Sequence, residues 1–137
     1  MRAEEARERF AAARVARLAT VDATGRPHLV PITFALEGEH VYSAVDAKPK
    51  RTVALRRLEN VRQNPRVALL ADHYEEDWEA LWWVRADGSA RVLEPDVEEA
   101  AVACRLLADR YPLFVPAGAV LAVDVERWSG WSSQSLD

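Results

Sequence analysis

Residues 41–70 read VYSAVDAKPKRTVALRRLENVRQNPRVALL, and within them the hydrophobic period changes twice. Val41 to Val45 is an apolar run of strand type, and Asp46 to Thr52 is a basic turn around Pro49. Ala54, Leu55, Leu58 and Val61 then recur at helical spacing, with Thr52 as the candidate N-cap and Asn64-Pro65 as the stop. Arg66 to Ala71 returns to a strand pattern. A cationic turn running into a helix start is one physical way to hold a phosphate, because side-chain charge and unpaired backbone N–H groups point the same way. Between Lys48 and Arg66 lie seven basic residues (Lys48, Lys50, Arg51, Arg56, Arg57, Arg62, Arg66) and one acid, Glu59, in a chain whose net charge is −4. The positive charge is therefore placed rather than spread. A solvated helix face beside a lysine-rich turn accounts for the same residues, and charge alone leaves both readings open.

Outward from this stretch the pattern is mostly strand. Upstream, Glu4 to Ala13 reads as a short helix with acids in its early turns. Val15 to Val21 and His28 to Leu36 read as strands joined by the turn Asp22-Ala23-Thr24-Gly25-Arg26-Pro27, and Glu37-Gly38-Glu39 closes a hairpin onto His40 to Val45. Downstream, a polar acidic segment, Asp72 to Glu79, leads into Ala80 to Leu93, which contains Gly88 and reads as a long bulged strand or a tight hairpin. Asp96 to Arg110 reads as a helix with an apolar stripe through Val97, Ala101, Cys104, Leu107 and Ala108. Val120 to Val125 reads as the last strand, followed by a tail rich in Trp, Ser and Gly. About six strands with helices inserted between some of them predict a mainly β (α+β) chain, an antiparallel barrel rather than a doubly wound sheet.

With 137 residues, half of them hydrophobic, one domain spanning 1–137 is expected. The longest apolar runs are broken by charge well before the ~20 residues a membrane span needs. The N-terminus MRAEEARERF is too polar for a secretory signal, and Cys104 is the single cysteine, so a cytoplasmic location and no disulfide framework are expected. The acidic total argues against nucleic acid as a partner, while the local basic stretch still suits one anionic ligand.

No GxSxG, HExxH, P-loop or GxGxxG is present, which removes the common hydrolase, metalloprotease, NTPase and Rossmann readings. His28, His40 and His73 stand at no metal-ligand spacing, and no metal is expected. The acids Asp72, Glu75, Glu76, Asp77 and Glu79 read as a solvated loop. Cys104 reads as a packed small hydrophobe. Trp82 and Trp83 are adjacent, so on a strand they point to opposite faces, one inward and one toward solvent, a ligand or a partner chain.

Four segments together carry a family resemblance: RVARLATVDATGRPHLVPITFAL, VYSAVDAKPKR, LRRLENVRQNPRVALLAD and LWWVRADGSARVLEP. They resemble the flavin and deazaflavin oxidoreductases with the pyridoxamine 5′-phosphate oxidase-like split β-barrel, and among these the actinobacterial group of coenzyme F420-dependent enzymes. The resemblance runs from Ala12 to Trp131. It implies a six-stranded antiparallel split β-barrel of the FMN-binding type, assembled as a homodimer with cofactor clefts at the seam. By position it implies Val30, Pro31, Ile32 and Thr33 beside the flavin-like ring, with Ser43, Ala44 and Val45 on the facing strand. Lys48, Lys50, Arg51 and Thr52 are implied on the phosphate, where the residues had already pointed. The Arg-x-x-x-Leu-Lys flavin mononucleotide pattern is absent in that form near Lys50, which favours F420 over FMN; the phosphodiester and glutamyl tail of F420 would suit a wider basic patch including Arg56, Arg57 and Arg62. The implied activity is hydride transfer from reduced deazaflavin to an unsaturated small organic substrate. Alternatives are an FMN-binding oxidoreductase and a cofactor-binding module without turnover. No catalytic side chain is singled out.

Overall fold

The computed structural model describes residues 1–46 and 51–134, with the backbone alone at 46, 51–55, 116 and 117. In chain order the elements are α1 (Ala3–Ala12), β1 (Ala16–Val21), β2 (Pro27–Ile32), β3 (Ala35–Glu37), β4 (His40–Asp46), α2 (Arg51–Gln63), β5 (Arg66–His73), a 3-10 turn (Trp78–Ala80), β6 (Trp82–Leu93), α3 (Glu98–Arg110) and β7 (Pro116–Ser132). The strands form one antiparallel sheet in the order β2-β1-β5-β6-β7-β4-β3.

The sheet has seven strands where the sequence pattern predicts six, because the run His28 to Leu36 breaks at Thr33-Phe34. Its first half pairs with β1 and its second half with β4, so one short segment supplies both ends of the sheet order. The cause is local. The Tyr111 hydroxyl lies 3.2 Å from the Phe34 N–H and 3.0 Å from the Phe34 carbonyl, and the Arg110 guanidinium donates to the same carbonyl at 2.9 Å. With its polar groups taken by the end of α3, Phe34 leaves the ladder. Two residues separate the sheet's edges, so the sheet must roll round on itself; β2 and β3 share no ladder, and it stays an open barrel.

Two other expectations change. Ala80 to Leu93 resolves to a single long strand, β6, not a hairpin. Its Gly88 is forced by close approach, since a Cβ there would meet the Asp124 carbonyl oxygen at 2.2 Å, where the ladder shifts register and leaves Glu126 unopposed. The tail after Val125 is not a tail. β7 runs on to Ser132 by pairing with the start of β6, Trp83 opposite Trp131, so a segment unable to build a core continues a ladder instead. Thr52 lies within α2 rather than at its cap.

The concave side holds the main core. Ala6 and Phe10 from α1 and Leu58 and Val61 from α2 pack with Leu18, Val41, Leu69 and Val84 of the strands and with Phe34 of the β2–β3 link. Phe10 sits 4.6 Å from Phe34 and 5.4 Å from Trp128 between ring centroids. Full burial of such a ring contributes about 2–3 kcal/mol. α3 covers the opposite face, where Ala100 and Ala103 meet Tyr42, Leu93, Val120 and Ala122. Its buried stripe is Ala100, Ala103 and Leu107, rotated from the predicted one, which leaves Ala101 and Ala108 exposed. Cys104 is half-buried against this second cluster, and burial pushes its thiol pKa up.

A charged network anchors α3 to the sheet. Arg91 of β6 donates to Asp124 of β7 at 2.7 and 2.9 Å and to both carboxylate oxygens of Glu99 on α3 at 3.0 Å. The Tyr42 hydroxyl donates to Glu99 at 2.8 Å, and His40 Nδ1 lies 2.8 Å from Asp124. Hydrogen bonds from Arg91 hold the carboxyls of Glu99 and Asp124 below their ordinary pKa, while burial and then Glu99 push the Tyr42 phenol up to about 12. Among the described residues no helix is long and apolar enough to cross a membrane.

Candidate cofactor cleft

The break between β2 and β3 also places the residues expected beside a cofactor. Val30, Pro31 and Ile32 end β2, and Thr33 lies in the two-residue link. Alternation divides them: Ile32 is buried in the core, Val30 is half-buried on the same side, and Pro31 faces out. Ser43, Ala44 and Val45 lie on β4. There Ser43 is buried on the concave side, Ala44 packs toward α3, and a register shift follows Ala44, opposite a bulge around Gly118 at φ +72°. The two sets meet at one bond, where the Ser43 hydroxyl donates to the Thr33 carbonyl at 2.8 Å. That bond ties the end of the β2 run to β4 across the open edge of the barrel.

Lys48 and Lys50 lie outside the described residues, and Arg51 and Thr52 are described by backbone alone, at the start of α2. The remaining cations of the stretch sort by environment. Arg66 pairs with Glu126 at 3.0 Å, and Arg62 lies 3.5 Å from Glu94 and 3.9 Å from Glu59. Arg56 is exposed. Arg57 is half-buried and, among the described residues, makes no hydrogen bond or ion pair; burial alone pushes its guanidinium pKa down. With Ser43, Ala44, Val45, Leu58, Ala119 and Leu121 it lines a cavity of about 10 Å³, room for roughly one water. A desolvated cation beside the Ser43–Thr33 corner is the donor chemistry that a phosphate-bearing cofactor requires.

Sequence reasoning did not single out the groups that shape this corner. Arg110 reads in the sequence as a cation complementing the end of a helix, and Tyr111 carries no signal at all. In the fold Arg110 also donates to the Ala13 carbonyl and stacks 4.7 Å over Phe34, so α3 fixes where Thr33 sits.

A second concavity lies at the other end of the sheet, on its outer face. Leu70, Asp72, Tyr74, Trp83 and Arg85 line a groove of about 450 Å³. Trp82 points to the opposite side, against the core, with Arg9 5.5 Å over its ring. The acidic segment Asp72 to Glu79 is exposed throughout, with His73 in contact with Glu75. Ser43 pairs with Leu121, which pairs with Val92, while His73 pairs with Trp82. The groove residues Arg85 and Trp83 are thus seven to nine residues from Val92 along β6, about 23–30 Å of strand path at 3.3 Å per residue. Among the described residues no group of three His, Cys, Asp or Glu side chains is placed to hold a metal ion.

An open antiparallel barrel with inserted helices defines a split-barrel protein. The chain belongs to the pyridoxamine 5′-phosphate oxidase family, whose sequence profile matches residues 3–132. No curated protein matches it. Among solved structures it is similar to the conserved hypothetical protein Rv2991 from Mycobacterium tuberculosis, at 20% identity and a TM-score of 0.73 over 98% of this chain and 86% of that one. It is similar to an FAD-binding protein from Mesorhizobium loti, at 25% identity and TM-score 0.72 over 95% and 94% of the two chains. It also resembles HutZ, the heme storage protein from Vibrio cholerae, at 21% identity and TM-score 0.69 over 96% and 95%.

Proposed function

We propose that the protein is a flavin-type oxidoreductase that uses coenzyme F420, with hydride transfer to an unsaturated small organic substrate. The observation that carries this reading is the meeting of the β2–β3 link with β4 at the Thr33–Ser43 bond, where Ser43 shares a cavity wall with Arg57 and Leu58 of α2. Membership of the pyridoxamine 5′-phosphate oxidase family and the likeness to an FAD-binding protein support a ring cofactor there. The bound deazaflavin supplies the hydride chemistry. The chain supplies position: Val30 to Thr33 and Ser43 to Val45 wall the ring, and Lys48, Lys50, Arg51 and Thr52 neutralise the phosphate.

The proposed assembly is a homodimer with the clefts at its seam. Its support is the outer face of the sheet, which exposes Leu29, Leu70 and Trp131 beside the Trp83 groove, more apolar surface than scattered single residues make. A cytoplasmic location is proposed with it, on the single cysteine and the cofactor class.

Titration of the purified protein with oxidised F420 and, separately, with FMN tests the reading. Quenching or a shift of F420 fluorescence at micromolar protein is expected. No change with F420 beside micromolar binding of FMN replaces the cofactor with the flavin. Tight binding of either, with no faster oxidation of its reduced form by any quinone, enone or nitro compound, makes the protein a carrier rather than an enzyme.

A further inference from the structure

The peptide unit between Thr33 and Phe34 is held at both ends by side-chain hydroxyls. Its carbonyl, that of Thr33, accepts from the Ser43 hydroxyl of β4 at 2.8 Å, and its N–H, that of Phe34, donates to the Tyr111 hydroxyl just past α3 at 3.2 Å. Both residues lie outside the ladders, so these backbone groups are satisfied by side chains rather than by a neighbouring strand. The Tyr111 hydroxyl has one proton and lies 3.0 Å from both the Phe34 and the Arg14 carbonyls. Arg110 already donates to the Phe34 carbonyl at 2.9 Å, which leaves the tyrosine proton for Arg14 and ties the β2–β3 link to the α1–β1 link. Tyr111 is itself held in place. The Arg14 guanidinium lies 4.9 Å over its ring and donates to the Arg110 carbonyl at 3.0 Å, and Arg110 donates to the Ala13 carbonyl. The Phe34 ring that follows the peptide is fully buried against Phe10.

We propose that Tyr111 is a positioning residue for the cofactor ring: with Ser43 it clamps the Thr33–Phe34 peptide and so sets the wall that the end of β2 presents. This role rests on the ring-cofactor reading above and deepens it, by assigning the geometry of that wall to a hydroxyl that acts through the backbone. A planar peptide turns only about the two soft bonds that flank it, and a turn there exchanges the directions of its carbonyl and its N–H. A hydroxyl on each side fixes one orientation before the ligand arrives, so little ordering is left for the binding step.

Tyr111→Phe and Ser43→Ala each open one end of the clamp. Val84→Ala, a truncation in the core near the other end of β6, is the control for lost stability. In the ligand-free protein the Phe34 amide is expected to exchange with deuterium about tenfold faster in Tyr111→Phe than in the parent, a larger factor than for the amides of β6. Titrated with F420 and with FMN, the two single variants are expected to bind the parent's cofactor roughly five- to tenfold more weakly, the scale of one hydrogen bond, and to shift the visible absorption band of the bound ring. The double variant is expected to bind about as well as the weaker single one, because both hydroxyls hold one peptide. Val84→Ala is expected to melt lower while keeping the parent's affinity and band. Parent-like binding with an unmoved band in Tyr111→Phe overturns the clamp and leaves the cofactor reading standing. A Phe34 amide that keeps its parent rate, or losses that simply multiply in the double variant, overturn it equally. Losses in Val84→Ala as large as those in Tyr111→Phe make the tyrosine structural, with the same result. A parent that binds neither F420 nor FMN overturns both readings.

Discussion

At the β4–α2 end of the molecule a guanidinium is half-buried with no partner among the described residues, whereas at the β5–β6 end aromatic rings stand in solvent among carboxylates. Trp78 is 77% exposed and Tyr74 62%, in a segment that carries five acids between Asp72 and Glu79. Each end leaves something unsatisfied, but of a different kind: charge waiting for an anion at one, apolar surface waiting for a cover at the other. β6 connects the two, and its length keeps their chemistry apart. A small ligand and a protein surface are the matching complements, and the two ends are therefore expected to respond to different substitutions.

The largest separation is expected from the basic turn. Lys50→Ala with Arg51→Ala is expected to weaken cofactor binding by about 1.5–3 kcal/mol for each charge removed, while leaving the sedimentation mass unchanged. Fluorescence titration and analytical ultracentrifugation on one preparation read both quantities. Loss of self-association along with binding would mean that the turn holds the partner chain as well as the anion, and would break the comparison.

Next in size is the strand that joins them. Gly88→Ala places a methyl group 2.2 Å from a backbone oxygen that no side-chain movement relieves, so the β6–β7 ladder must shift. A loss of about 3 kcal/mol or more is expected in urea unfolding, with both ends affected together. An alanine variant of parent stability would mean that the register at Asp87 and Gly88 is other than described.

How far the sequence carries these arguments differs by element. The strand–turn–helix–strand order of residues 41–70 is legible because the period changes are abrupt and Asn64-Pro65 marks the stop. β7 beyond Val125 is not, since Arg127 to Ser133 has no alternation strong enough to mark a strand; its place comes from the ladder that β6 offers. The rotated face of α3 has the same origin. Ala100, Ala101, Ala103 and Ala108 are interchangeable in a hydrophobicity pattern, and only the fit against Tyr42 and Val120 chooses among them. At the cleft, Ser43 to Val45 and the basic stretch stand out locally, but the break at Phe34 depends on Arg110 and Tyr111, more than 70 residues away. Likewise seven cations look alike in sequence, and only burial and pairing distinguish Arg57 from Arg62.

A smaller effect is expected at the aromatic end. Trp83→Ser removes the ring from the outer groove, where Arg85 lies 5.9 Å over it, without touching the concave core. If that face is the seam, the dimer is expected to dissociate at about tenfold higher protein concentration than in the parent, a change of about 1.4 kcal/mol. A parent that is monomeric at all concentrations would remove the seam from the outer face, and the exposed rings would need another partner.

The smallest expected effect concerns the α3 anchor, which belongs to neither end but holds the Thr33 corner in place through Arg110. Tyr42 is buried and donates to Glu99, so Tyr42→Phe gives up one hydrogen bond to a carboxylate and is expected to cost about 1 kcal/mol at neutral pH. Its pH dependence carries the sharper signature. The phenol ionises near 10 in the unfolded chain and at about 12 in the fold, so the unfolded state loses its proton first as pH rises. The Tyr42 contribution is therefore present below pH 10 and lost between about 10 and 12, and the phenylalanine variant is expected to show a shallower fall there. Glu99 and Asp124 act in the opposite direction. Their folded pKa values are lowered by Arg91, so their contribution is present above the ordinary carboxylate range and lost as pH falls through the lowered values. Arg91→Met is expected to flatten that acid limb while leaving the alkaline one, and urea midpoints from pH 3 to 12 separate the two. An alkaline slope unchanged in Tyr42→Phe would assign the loss to another group and remove Tyr42 from the anchor.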